Sequence, residues 1–380
     1  MNNQYIRWKA ISAVIVGVVF FGCAAHSPHD RKYVSDSMDK RTGFDLPAES
    51  RLDSLTFPQN IILKDGLTED EAVGIALWNN AQFQADLAEL GFARADLIEA
   101  GMLRNPIFSL LFPIGPKQLE WTLYLPVEAL WQRPKRVASA KLNCERVAEN
   151  LIQHGLSLVR DVRVAFADLN LAQERFRIVA DEAVLRNEIA EIASARLRAG
   201  DISELEETAI RLMASQTTEA SIRSGRDVEI GTIRLKTLLG LISTNGRFQI
   251  ELSPLRTTAY QDTIQMMRTA FAARPDMRAA ELEIEAAGKR LGWERSKILN
   301  VTAVLDANGE GRQGFEMGPG MHIELPFFNR NNSGRTRAHA EIDGKGCQTI
   351  HGCSAVHSER GARIGRELYG SREGMSIIEG

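Results

Sequence analysis

Cysteine is scarce in this chain, four residues among 380, which excludes a scaffold built on disulfides. Charge of one sign is lacking too. Lys and Arg number 46 against 49 Asp and Glu, a formal net charge of −3, so there is no basic field for holding nucleic acid. Aromatic residues make up 7% and proline occurs 12 times, a balance that disfavours an all-β sandwich and suits long helices rich in Ala, Leu, Glu and Arg. No proline stands between Pro134 and Pro254. The apolar run from Ala10 to Phe21 falls short of the roughly 20 residues that a membrane-spanning helix needs. What is present, 44% hydrophobic and 25% charged residues, matches folded globular chains and excludes disorder and collagen.

Arg7 and Lys9 precede the apolar run, and the small residues Gly22, Cys23, Ala24 and Ala25 follow it. That pattern reads as a cleaved export signal over residues 1–22. Phe20-Phe21-Gly22-Cys23 resembles a bacterial lipoprotein box, with Phe20 and Phe21 where Leu and a small residue are usual, and makes Cys23 the expected lipidation site, carrying acyl chains such as palmitate. The alternative is that Cys23 only forms part of an ordinary cleavage region. Residues 23–60, with Pro28, Pro47 and Pro58 among Ser, Asp, Lys and Arg, read as a tether.

Thr68 followed by Glu71 forms a capping box, and Ala72, Ile75, Ala76, Phe83, Leu87, Leu90 and Leu97 then recur at helical spacing. One helix, open to a break near Asn80, is expected within residues 61–105 and ends at Asn105-Pro106. The period next becomes two. Phe108, Leu110 and Phe112 share one face of a strand, and Leu119, Trp121, Leu123 and Leu125 share one face of the next, within residues 106–128. Such alternation suits a half-buried sheet or a membrane barrel equally well. Over 133–241, Leu151, Leu158, Val162, Phe166, Leu169, Phe176 and Val179 keep a helical period, and Gly200 with the capping box Ser203/Glu206 divides the stretch into a helical hairpin. A first arm of about 64 residues at roughly 1.5 Å each is about 95 Å long, a length that no compact enzyme needs.

The same order then recurs. Ala270 to Ala279 lies over Ala76 to Ala85, and Ile323-Glu324-Leu325-Pro326 over Leu123-Tyr124-Leu125-Pro126, at offsets that differ only by loop length. A second first helix is expected at 257–299, a second strand pair at 300–328 with strands at Val301 to Ala307 and Met321 to Leu325, and the start of another helix at 329–342. The unit is duplicated.

In this order these features resemble the outer-membrane efflux protein family, the TolC-like channels, over about Leu67 to Ile342. The carriers are the Leu67-Thr68-x-x-Glu71-Ala72 start, the Asn105-Pro106 stop, the Leu-Pro strand ends with turns at Arg133 to Arg136 and Asn329 to Arg335, and the hairpin at Gly200. The fold class so implied is mainly α with a minor β part. Long α-helical hairpins and strand pairs form an α-barrel and a transmembrane β-barrel of twelve strands, shared within a homotrimer. The resemblance also implies a passive exit duct in the bacterial outer membrane, lipid-anchored and with a periplasmic helical part. Such a duct passes solutes or metal ions received from an inner-membrane efflux transporter through a periplasmic adaptor. It makes Arg198, Gly200, Asp201, Ser203 and Leu205 the adaptor-docking tip, although any helical turn needs a glycine and a cap. Strand alternation would turn Glu120, Thr122, His322 and Glu324 to the barrel lumen, away from outer-membrane lipid. The rival function is a periplasmic coiled-coil adaptor or scaffold, which has no use for duplicated apolar-faced strand pairs. Residues 343–380 are glycine-dense and without helical period. They resemble out-of-frame coding and leave the second repeat truncated.

No cofactor or catalytic site is expected. Nucleophile, base and oxyanion arrangements, H-E-x-x-H and a P-loop are all missing. Gly309 to Gly314 spells G-x-G-x-x-G, yet Gly318-Pro319-Gly320 and a strand follow it where a phosphate-binding loop needs a helix N-terminus; a glycine-rich hairpin loop is expected there. Cys347, His351, Cys353 and His357 have no C-x-x-C spacing, so no metal site is expected. Cys144 reads as a small packing residue.

Overall fold

The computed structural model describes residues 25–47, 66–112, 119–241, 265, 269, 272–311, 314–325 and 333–340. Its helices are α1 Arg31–Thr42, α2 Glu69–Asn79, α3 Ala81–Gly101, α4 Ala129–Ala199, α5 Glu204–Leu238 and α6 Pro275–Ser296, with a short helix α7 at 333–340. The strands are β1 Ile107–Leu111, β2 Glu120–Pro126, β3 Asn300–Gly311 and β4 Gly314–Glu324. Among the described residues no helix is long and apolar enough to cross a membrane. The chain divides into two compact units, one of residues 1–30, 89–150 and 261–380 and the other of 31–88 and 151–260.

In the second unit the paired arms α4 and α5 pack Leu151, Ile152, Val162, Phe166, Leu169 and Leu235 inward. Glu71 and the N-cap Thr68 satisfy each other's amides at the start of α2, as their spacing predicts. The break between α2 and α3 falls at Asn80, whose φ of −64° and ψ of 114° leave the helical region. Its side chain serves both sides of the break. Nδ2 donates to the Leu238 carbonyl at 3.0 Å, and Oδ1 accepts the Phe83 amide at 3.0 Å. Gln84 fills the gap by donating to the carbonyls of Leu77 and Trp78. Arg274, at the corresponding place in the second repeat, is also extended, with φ −72° and ψ 119°, and Pro275 opens α6 behind it.

Two sequence expectations need correction here. Residues 31–42, inside the segment read as a tether, form α1 and bury Val34 and Met38 completely. A Cβ on Gly155 would lie 2.8 Å from Met38 Cε, so the absence of a side chain there lets α1 approach α4. Only two apolar residues, one turn apart, carry this packing, too few to register as a period. The first arm of the hairpin begins at Ala129 and includes Pro134. A proline so near the N-terminus forfeits a single ladder bond, to the carbonyl four residues back.

The first unit holds the sheet. All neighbouring strands are antiparallel, in the order β1-β2-β3-β4, so among the described residues β1 and β4 are open edges. β3 and β4 exceed the expected strands, and Gly318-Pro319-Gly320 is part of β4 rather than a loop. An edge strand tolerates proline because its outward amide has no partner to lose. Below the sheet, Arg133 and Arg136 from α4 donate to the carbonyls of Gly101 and Ala100 at 2.6 and 2.8 Å, and Arg136 also to Met102 at 2.6 Å. They satisfy acceptors that the C-terminus of α3 leaves open. Burial pushes the Arg136 guanidinium below its ordinary pKa, and the nearby charge of Arg104 adds to the shift. Ala338 of α7 packs on Ala287 and Leu291 of α6.

Candidate functional site

Strand pairing makes the sheet two-faced. Glu120, Thr122 and Tyr124 of β2 stand opposite Asn308, Asp306 and Val304 of β3, and Thr302 and Asn300 stand opposite His322 and Glu324 of β4. Because side chains alternate along a strand, this places the four positions singled out in the sequence, Glu120, Thr122, His322 and Glu324, on one face, polar over β2 to β4 and joined at the β1 edge by Ile107 and Leu111. The Thr122 hydroxyl donates to Asp306 Oδ1 at 2.7 Å, and Asn300 Nδ2 donates to Glu324 Oε2 at 2.7 Å. His322 lies flat against Tyr124, with ring centroids 6.1 Å apart and planes within 5°. Asp306 and Asn300 were missed in the sequence. Their signal was the alternation Asn300, Thr302, Asp306 within β3.

The other face is apolar: Phe108 and Leu110 of β1, Trp121, Leu123 and Leu125 of β2, Val301, Ala303 and Leu305 of β3, Met321 and Ile323 of β4. Phe108 meets Trp121 at 6.0 Å between centroids. Much of this face is uncovered by the chain itself, with Phe108 60% and Met321 68% exposed. A water-soluble monomer rarely leaves so continuous an apolar surface open.

The five residues of the expected tip also come together. Gly200, with φ +80°, ends α4; its amide donates to the Leu197 carbonyl and that of Asp201 to Arg196, a Schellman closure that requires the left-handed backbone glycine allows. Ser203 then caps α5 by exchanging hydrogen bonds with Glu206. The Ser203 amide and hydroxyl hold the Glu206 carboxyl below its usual range, and Arg196 adds to this. Basic Arg196 and Arg198 close α4 and acidic Glu204, Glu206 and Glu207 open α5, each matching its helix dipole. Arg198, Asp201 and Ser203 are exposed and Leu205 is 80% exposed. Beside the tip, a groove of about 420 Å³ is lined by Ile189, Ile192, Ile202, Ala209 and Ile210 and flanked by Arg196 and Glu206.

Other motifs take their places. Gly309 to Gly311 end β3 and Gly314 begins β4, with Gly311 paired to Gly314, so strand leads to strand and no helix N-terminus follows. Cys144 is fully buried and its thiol donates to the His29 carbonyl at 3.7 Å; burial raises its pKa. Among the described residues no group of His, Cys, Asp or Glu could hold a metal ion. Cys23, the export signal, the four Cys and His of the tail and the stretch 343–380 lie outside the described residues.

No protein-family model matches the chain. The cobalt-zinc-cadmium resistance protein CzcC of Cupriavidus metallidurans is 24% identical over 287 residues, covering 73% of this chain and 67% of CzcC. A membrane protein of Pseudomonas aeruginosa superposes with a TM-score of 0.62 at 17% identity, covering 88% of this chain and 85% of its own. The outer membrane channel CmeC of Campylobacter jejuni gives 0.61 at 14% identity, covering 87% and 80%. The outer membrane protein VceC of Vibrio cholerae gives 0.59 at 16% identity, covering 76% and 75%. The two-faced sheet, the long hairpin and these superpositions agree with the resemblance read from Leu67 to Ile342: the chain has the fold of the TolC-like outer-membrane channels.

Proposed function

We propose that the chain is the outer-membrane channel of a tripartite efflux system, a passive duct that receives its solute from an inner-membrane transporter by way of a periplasmic adaptor. The observation that carries this reading is the sheet. Among the described residues it has one exposed apolar face, one polar face and two open edges. A sheet can stand in a bilayer only when closed, because unpaired edge amides and carbonyls find no water there. Four strands are too few to close alone, so other copies complete the barrel, and a homotrimer supplies twelve. In that barrel Glu120, Thr122, His322 and Glu324 line the lumen. A periplasmic coiled-coil scaffold would leave the apolar face unexplained. Metal ions are the favoured cargo, because CzcC is a cobalt-zinc-cadmium resistance protein. The test is to purify the full chain from outer membranes in detergent and add it to planar bilayers. Discrete conductance from trimers is expected, and a chain that stays monomeric and soluble without detergent would overturn the reading.

Lipid attachment at Cys23 belongs to the same proposal. Its support is the sequence, in which Arg7 and Lys9 precede an apolar run that ends at Gly22-Cys23. Mass spectrometry of the membrane-bound protein should find an acylated N-terminal cysteine. An unmodified terminus beyond Cys23 would refute it.

The hairpin tip is proposed to dock the adaptor. A Cβ at Gly200 would meet nothing within 4 Å, so a side chain can leave the backbone there, at a left-handed strain of about 1–2 kcal/mol, and tryptophan is the bulky variant to test. Trimers should form normally while export falls to background, read as metal accumulation in cells. Unchanged export with normal trimers would reduce the tip to a turn.

A further inference from the structure

We infer that Arg104, Arg133 and Arg136, at the rim where the sheet gives way to helices, form a site for the phosphate headgroup of an anionic phospholipid. The inference rests on the channel reading above. Arg133 and Arg136, in the first turns of α4, donate to carbonyls at the end of α3, and Arg104 stands three residues before β1. Burial lowers the pKa of Arg136, and the charges of Arg104 and Arg133 lower it further against the opposing pull of Glu99. The three guanidinium groups therefore lie within electrostatic reach of one another, where like charges repel unless an anion sits among them.

Meeting those carbonyls does not call for three charges. At the end of α6, in the second repeat, the Ser296 carbonyl accepts from the neutral amide of Gln132 at 3.3 Å. A carbonyl is itself neutral and does not cancel the charge of an arginine that it binds. Arg104 reaches the Glu128 carboxylate only at 3.9 Å, too long for a hydrogen bond, and 72% of its side chain is exposed. The neighbours are those of a lipid surface. Met102, Leu103 and Leu130 are exposed and Trp131 is half-buried, all within a few residues of the arginines. They continue, on the helical side of the rim, the apolar surface that Phe108 and Leu110 present on β1. Tryptophan and basic residues bordering an apolar face mark the level of lipid headgroups, and the planar donors of arginine match two phosphate oxygens at once.

The experiment is native mass spectrometry of the full chain, purified as trimers in a nonionic detergent and mixed with equal amounts of phosphatidylglycerol and phosphatidylcholine. Wild-type trimers should retain phosphatidylglycerol several-fold over phosphatidylcholine. Arg104→Gln should bring that ratio near one. Lys135→Gln, which removes a charge from an exposed position in the same part of α4, should leave it as in the wild type. If Arg104→Gln does not assemble, because Glu128 then stays buried without a cation, Arg104→Gln/Glu128→Gln replaces it with the same expected ratio. Inorganic phosphate in excess should not displace the lipid, and displacement would overturn the lipid assignment. Equal retention of both lipids by intact wild-type trimers, or a loss in Lys135→Gln as large as in Arg104→Gln, overturns this inference and leaves the channel reading intact. A wild-type chain that is monomeric and soluble without detergent overturns both.

Discussion

Arginine at Leu123 is expected to abolish assembly in the outer membrane. Leu123 lies in the middle of β2 on the apolar face, opposite Phe108 on one side and Leu305 on the other. On the lipid face of a barrel, arginine near the bilayer midplane costs about 2–4 kcal/mol, and a trimer incurs that cost in each of its chains. The total rivals the about 5–15 kcal/mol by which a folded domain is stable. The control is Ser109→Arg. Ser109 pairs with Thr122 on the polar face, where the new charge would meet water and carboxylates. Heat-modifiable trimers in outer-membrane fractions should vanish for Leu123→Arg and persist for Ser109→Arg. If both variants insert equally well, the apolar face does not meet lipid and the channel proposal fails.

Alanine at Gly240 should be the most damaging small change in the helical unit. Gly200 and Gly240 share a left-handed backbone, with φ of +80° and +70°. Their surroundings differ. A Cβ at Gly240 would overlap the Asn79 carbonyl oxygen and lie 2.7 Å from its carbon, both backbone atoms at the break between α2 and α3. No rotamer relieves that overlap, so the chain itself must move. Left-handed strain of about 1–2 kcal/mol then adds to an overpacking cost of about 1–3 kcal/mol. Movement at Asn79 also disturbs Asn80, which bonds the Leu238 carbonyl. Thermal melts followed by far-ultraviolet circular dichroism in detergent should show a large drop in midpoint for Gly240→Ala and a small one for Gly200→Ala. Equal drops would mean that the contact at Asn79 yields freely.

Much of this architecture was legible in the residues, for reasons that also explain the gaps. The hairpin could be read because dozens of residues repeat one helical period and a single glycine with a capping box interrupts it. β2 could be read because Leu119 to Leu125 alternate strictly. α1 escaped because Val34 and Met38 are its only fully buried apolar residues, and a glycine far away in sequence makes room for Met38. β4 was read short because Pro319 and its flanking glycines resemble a loop, while the permission for them comes from the open edge of the sheet, a tertiary fact. The tip residues were legible as a turn from local chemistry. Their partner was not, because docking is written on a second molecule. On the polar face, Thr122 could be assigned from alternation in its own strand, whereas its bond to Asp306 joins residues far apart in sequence and needs the β2–β3 register.

The open edges at β1 and β4 bear on how such a protein reaches its final state. On the channel proposal, a lone sheet with unmet edge groups has no stable home in hydrocarbon, so insertion could not run to completion chain by chain. It must wait for encounters between copies. The yield of membrane-inserted protein should then rise more steeply than in proportion to the rate of synthesis at low expression, as in a reaction of higher order. Until the encounter occurs, each chain must shelter its edges and its apolar face in the aqueous compartment, and that waiting time is when chaperones and proteases compete for it.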